Sequence, residues 1–172
     1  MKETPQQYTA RIVSNVANQS PLKVQADTPR KIERLIKGAA PAKLRKRPVP
    51  DKWSVGEILA HLADVEIAVG WRVRLILGAP GTPVQAFDQD AWVEAGHYAK
   101  RNPHSSLAQM RALREANLAL YKSLTPEQWK HHGMHAERGQ ETVEHITRMV
   151  AGHDMNHLRQ IEEILRKKKT AK

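Results

Sequence analysis

The chain contains no cysteine. Disulfide staples, thiolate metal ligands and a cysteine nucleophile are all excluded. Aromatic residues are scarce, with one Phe, three Tyr and four Trp, too few for a platform on which nucleic-acid bases could stack. No stretch reaches the roughly 18 apolar residues of a membrane span. No charged segment followed by an apolar run opens the chain as a signal peptide would. Strand-like alternation is missing as well, and no internal repeat is visible. These absences predict a soluble, cytoplasmic, all-α protein with no membrane contact.

What is present fits one domain spanning 1–172, since 172 residues bury a real core without staples. The net charge of +10 is unevenly placed. Residues 30–52 carry nine Lys or Arg against two acids, and 166–172 carry five bases and no acid. The remainder is slightly negative. A solvated, Pro-containing basic connection over 39–52 and a basic tail over 167–172 are preferred to a nucleic-acid surface, because no DNA-binding pattern accompanies the charge.

Helical signals recur along the chain. Thr4-Pro5 reads as a cap followed by proline at the first helical position, ahead of Tyr8, Ile12, Val13 and Val16. A break is expected over 18–27, and Thr28-Pro29 repeats the cap pattern before Ile32, Leu35 and Ile36. Pro41, Pro48 and Pro50 exclude a continuous helix between Ala39 and Lys52. Ser54 with Glu57 forms a capping box, and the helix it opens ends at Gly78 before Pro80. A long connection over 80–104 could hold a short helix around Trp92, and such connections are often functional. Ser105 or Ser106 is expected to cap the third helix. Residues 134–140 read as a loop, and the fourth helix starts at Glu141. Four helical blocks imply a helical bundle.

His153 and His157 lie four apart, separated by about 40° around the helix, so both rings project from one face. Met149, Val150 and Ile161 share that face, which makes it the buried one. Two histidines there are costly unless partnered or bound to metal. His61 stands alone among Ile58, Leu59, Ala60, Leu62 and Ala63, an interior setting on another helix. Two histidines from one helix and one from a second make the three-ligand open site expected of a catalytic metal.

The segment Trp53-Ser54-Val55-Gly56-Glu57-Ile58-Leu59-Ala60-His61-Leu62-Ala63-Asp64 resembles the start of the second helix of the DinB-like/YfiT-like superfamily. Ala151-Gly152-His153-Asp154-Met155-Asn156-His157-Leu158-Arg159-Gln160-Ile161 resembles its fourth-helix H-x-x-x-H segment. The resemblance extends from the first helix to Leu165. It implies an up-down-down-up four-helix bundle, a nickel- or zinc-type site on His61, His153 and His157, and a homodimer. The superfamily includes metal-dependent hydrolases and transferases that add low-molecular-weight thiols to small molecules.

Neighbouring side chains suggest further roles. Glu57 and Asp64 flank His61 at minus four and plus three. Asp64 is preferred as general base, because Glu57 has the capping box to serve. Arg72 shares His61's direction and could face an anionic substrate, although a surface role covering apolar neighbours is preferred. Gln160 is a candidate hydrogen-bond donor in the pocket. His135 could be a fourth ligand or a substrate contact. The leading expectation is one divalent ion per chain, zinc or nickel, serving hydrolysis or thiol transfer on a small molecule. Any attacking thiol must come from a cosubstrate, because the chain has none. The alternative is a non-catalytic metal-binding stress-response module contacting nucleic acid through the basic segments.

Overall fold

A computed structural model describes residues 3–166, so the basic tail over 167–172 lies outside the described residues. Four long helices dominate: α2 (Pro21–Ile36), α4 (Val55–Gly78), α6 (Pro103–Ser123) and α7 (Val143–Arg166). Three short ones, α1 (Pro5–Ser14), α3 (Pro41–Arg45) and α5 (Gln89–Ala95), lie in the connections or precede the bundle.

Contacts fix the directions. A Cβ on Gly56 would meet Pro103, and one on Gly70 would meet Asn117, so α4 and α6 run parallel. Gln25 bonds the Thr147 carbonyl, while Ile32 and Ile36 pack with Leu158 and Ile161, so α2 and α7 run parallel too. Arg114 reaches Gln25 and Arg111 reaches Glu33, which makes α2 and α6 antiparallel. The order is up-down-down-up. Parallel α4 and α6 require a connection that recrosses the bundle, which explains the length of 79–102.

The core has two apolar ends and a polar waist. Ile58, Leu59 and Leu62 of α4 meet Leu158 and Ile161 of α7 at one end. Val69, Val73 and Ile76 meet Val143, Ile146 and Val150 at the other. Between them lie His61 and Glu66 on α4, Arg114 on α6, and His153, Asp154 and His157 on α7, most of them almost fully buried.

Several local expectations are corrected. Pro21 does not break the chain; it is the first residue of α2, behind the Ser20 cap. Thr28-Pro29 is not a cap, because α2 runs straight through it. Pro29 has no N–H for the carbonyl four residues earlier, and that carbonyl, on Gln25, accepts instead from Arg114 Nη1 at 2.8 Å. The third helix is capped by Asn102, one turn ahead of Ser105, with Pro103 at its first position. Its Oδ1 accepts from the His104 and Ser105 amides. The expected loop at 134–140 is a hairpin of β2 (His132–His135) and β3 (Gly139–Thr142), with β1 (Pro83–Val84) parallel to β2. These strands are two to four residues long and mostly polar, so no hydrophobic alternation announced them. The fourth helix consequently begins at Val143.

Other local expectations hold, as does the up-down-down-up bundle. The Ser54–Glu57 capping box is formed in both directions, at 3.2 and 2.8 Å. Gly78 ends α4, and α5 carries Trp92. Among the described residues no helix is long and apolar enough to cross a membrane.

Candidate metal centre

The His61 ring sits in α4, and the rings of His153 and His157 sit one turn apart on α7. The antiparallel packing of these helices brings the three together at the waist. His153 Nε2 lies 3.0 Å from His61 Nε2 and 3.0 Å from His157 Nε2. All three ligand atoms fall within 4.8 Å of one another. Imidazole nitrogens around a tetrahedral ion at about 2.0–2.1 Å are separated by roughly 3.3 Å, so the observed cluster matches in scale.

The donor set fits a cation. Gln160 Oε1 lies 2.8 Å from His157 Nδ1. An amide oxygen only accepts, so the ring proton sits on Nδ1 and Nε2 keeps its lone pair. Burial, reinforced by the neighbouring His157, lowers His61 to about 3. Burial likewise lowers His157 to about 4 against a smaller opposing pull from Gln160. His153 is pushed well below its ordinary value by burial and by the other two rings. All three are neutral at pH 7, the state a metal requires. Among the described residues, His153 Nδ1 has no hydrogen-bond partner.

Two features hold the α7 histidines in place. A Cβ on Gly152 would lie 2.0 Å from the Ile12 carbonyl oxygen, so only glycine lets α1 cross α7 beside His153. Asn15 Nδ2 then bonds the Gly152 carbonyl. On the other side, the Trp53 ring packs 5.0 Å from His61 and lies nearly parallel to His157 at 6.4 Å.

The cluster lies where two cavities meet. One, of about 370 Å³, is bordered by His61, His153, Arg72, His135 and an apolar wall from Val65, Val69 and Met149. The other, of about 770 Å³, is bordered by Trp53, His153, His157 and Gln160. Tyr8, Gln89 and His153 border both.

The remaining candidates separate. Asp64 borders neither cavity. Its carboxylate accepts from the Tyr98 hydroxyl at 2.7 Å and from Arg101 Nη1 at 2.8 Å. Glu57, 1% exposed, caps α4 and is held by Arg47. Its carboxyl lies below its usual range: burial raises it, but the Arg47 and Ser54 hydrogen bonds prevail. Gln160, expected as a hydrogen-bond donor in the pocket, borders the larger cavity and accepts from His157 Nδ1 through Oε1. His135 lies outside the three-nitrogen cluster. It borders the smaller cavity with Arg72. His131 and His132 are half-buried and lie outside the cluster.

Sequence reasoning missed Tyr8 as a wall of both cavities and Arg114 as the buried centre of the polar waist. Tyr8 carried only an apolar periodicity signal, which says nothing of α1 folding back across α7. Arg114 sits on a helix with alternating apolar and polar residues, where an arginine looks solvated.

A profile of the DinB superfamily matches residues 26–161. The chain is 24% identical over 147 residues to "Putative metal-dependent hydrolase YfiT" of Bacillus subtilis, covering 85% of this chain and 83% of that one. It is 24% identical over 116 residues to a second protein so named, OB0782 of Oceanobacillus iheyensis, covering 67% of each. Among solved structures, Bacillus subtilis YfiT, described as a probable metal-dependent hydrolase with an unusual four-helix bundle topology, matches with a TM-score of 0.79 at 25% identity, over 87% of this chain and 86% of that one. A mycothiol-dependent maleylpyruvate isomerase shares the fold, with a TM-score of 0.58 at 13% identity, over 82% of this chain and 56% of that one.

Proposed function

The chain belongs to the DinB superfamily, and from that premise we propose that it is a metal-dependent hydrolase of small molecules, with one divalent ion, zinc or nickel, held by His61, His153 and His157. The observation that carries the reading is the convergence of three neutral Nε2 atoms where two cavities meet. Relatives across most of the chain bear the name metal-dependent hydrolase.

A divalent ion on three uncharged ligands keeps its full charge, and when bound it supplies Lewis acidity to a water or a substrate carbonyl. The chain's own residues do the rest. Gln160 holds the His157 proton on Nδ1, which points the Nε2 lone pair into the cluster. Trp53 packs against His61 and lies parallel to His157, walling the larger cavity beside both rings. Neither Asp64 nor Glu57 is assigned as the base, because both carboxylates are engaged elsewhere.

Thiol transfer is the second reading. It is favoured by the two separate cavities sharing His153, which suit two reactants approaching one centre. The thiol would be a low-molecular-weight cosubstrate.

Elemental analysis of tag-free protein tests the metal. Close to one equivalent of zinc or nickel per chain is expected, and no metal even after incubation with both ions overturns the site. With the metal-loaded protein, turnover of ester or amide panels supports hydrolysis. Turnover of an alkylating electrophile only when a small thiol is added supports transfer. Loss of neither substrate class leaves the non-catalytic metal-binding module.

A further inference from the structure

The smaller cavity has features that the metal alone does not explain. Arg72 projects from α4 and is half-buried, its guanidinium lying over the Phe87 ring at 5.1 Å. Its Nη2 donates to the Gln85 carbonyl at 2.6 Å. That fixes one edge of the fork. Among the described residues no carboxylate lies within ion-pair distance of Arg72, whereas two of the acids around the cavity are paired. Glu141 is held by Arg138 at 2.7 Å and Glu3 by Arg11 at 2.8 Å. Glu137 stands exposed at the rim.

His135 adds a second donor. It is 3% exposed. Its Nδ1 accepts from the Glu137 amide at 3.2 Å, so the proton of the neutral ring sits on Nε2. That Nε2–H is buried and has no partner. A buried donor left unpaired is costly, and both His135 and Arg72 border one cavity with His61 and His153. The opposite wall is apolar, from Val65, Val69, Ile146 and Met149.

We propose that this cavity is a carboxylate-recognising subsite, in which Arg72 and His135 hold the carboxylate of a small amphipathic acid whose apolar body lies along Val65, Val69 and Met149. Its reacting group then faces His61 and His153. The assignment names the substrate class of the metal-dependent reading and rests on it for catalysis. A monoanion is specified because one unneutralised guanidinium and one neutral N–H face it, with acids at the rim. A phosphonate, tetrahedral and only partly doubly charged at neutral pH, matches this pair of donors less well than a planar carboxylate.

The test is calorimetric titration of the full chain at neutral pH with hexanoate, hexanamide and pentylphosphonate. Wild-type protein, zinc-loaded, should bind hexanoate at least about tenfold more tightly than either analogue, the scale of one charge-assisted hydrogen bond. Arg72→Gln should lose about that factor, His135→Phe a smaller one, and Arg72→Lys should fall between wild type and Arg72→Gln. Each variant is checked for a wild-type helical signal and melting transition; if Arg72→Gln fails to fold, Arg72→Lys and His135→Phe still decide. Wild-type protein stripped of metal with a chelator should retain hexanoate binding. Equal binding of acid and amide, no binding to wild type, or unchanged affinity in folded Arg72 and His135 variants overturns the proposal. So does hexanoate binding that vanishes in the metal-stripped protein while surviving in zinc-loaded Arg72→Gln, because the acid then sits on the metal. A wild-type protein that takes up no zinc but binds hexanoate overturns the metal reading and leaves the subsite standing.

Discussion

Two polar clusters share α4 and α7 at the waist of this bundle, and they differ in almost every electrostatic respect. Around Arg114 the charges are paired. Its Nη1 and Nη2 donate to Asp154 at 2.6 and 3.1 Å, and Nη2 also donates to Glu66 at 2.8 Å. Asn117 fills the other Glu66 oxygen at 3.0 Å. Burial opposes these charges, and it raises Asp154 despite the guanidinium beside it. Around His61, His153 and His157 there is no charge at all, and the three facing nitrogens meet only one another. One cluster is saturated in charge, although Arg114 Nε has no hydrogen-bond partner, and it ties α2, α4, α6 and α7 together. The other is left open at the junction of two cavities. Buried polarity with its partners present is architecture, whereas buried polarity with a partner missing marks a site.

The largest expected effect breaks the saturated side. Arg114→Met leaves Glu66 and Asp154 buried without their cation and frees the Gln25 carbonyl that Pro29 cannot satisfy. A loss of about 3–5 kcal/mol is expected, as for other buried pairs missing one partner. Urea unfolding checks it, and a loss under about 1 kcal/mol would show that water enters the network freely. The open side should behave in the opposite way. Zinc at a hundredfold excess over its dissociation constant should stabilise wild-type protein by about 2.7 kcal/mol. That gain should vanish in His153→Ala and in His157→Ala and persist in His131→Ala. Retention in all three variants would break the contrast.

How much of the molecule is legible in its sequence follows from the range of the interactions. The His153–His157 pair and the Ser54–Glu57 box are separated by three or four residues, so helical spacing exposes them. His61 stands out because a lone imidazole in an apolar run is costly to bury without a partner. The continuation of α2 through Pro29 is not legible, since its compensation comes from Arg114 on another helix. The β2–β3 hairpin is hidden by polar strands, and with it the burial and orphaned Nε2 of His135. Asp64 looks like a partner of His61 from spacing alone. Nothing near it in sequence points to Tyr98 and Arg101, which arrive from the long connection.

A smaller effect concerns Glu57, a third acid that is structural although it lies one turn from His61. Its carboxyl is lowered in the folded chain, so it favours folding above its ordinary value of 4.5, and that contribution is lost as pH falls through the folded value. Glu57→Gln keeps the capping geometry and removes the charge facing Arg47. It should cost about 1–2 kcal/mol at neutral pH. The variant should also flatten the decline of stability below pH 4.5. Parallel pH curves for wild type and variant would remove Glu57 from the architectural side.

The smallest expected effect is the most diagnostic. Asp64 lies three residues after His61, close enough in sequence to serve a metal-activated water, yet its oxygens accept from Tyr98 and Arg101. Tyr98 is 1% exposed. Burial raises its hydroxyl well above the usual range, and the Asp64 carboxylate adds to that, so the phenol stays a donor at all working pH values. Asp64→Asn preserves an acceptor for Tyr98 and surrenders only the charge toward Arg101, which is one-third exposed. The cost should be about 0.5–1 kcal/mol, as for a partly solvated pair. Zinc content should not change. Turnover, whichever substrate reveals it, should stay within a few-fold of wild type. A general base would behave otherwise, since its loss slows reactions by about 10²–10⁴-fold. A drop of that size with zinc content and melting temperature intact would move Asp64 from the saturated side of the comparison to the open one, and would require its carboxylate to leave Tyr98 when substrate binds.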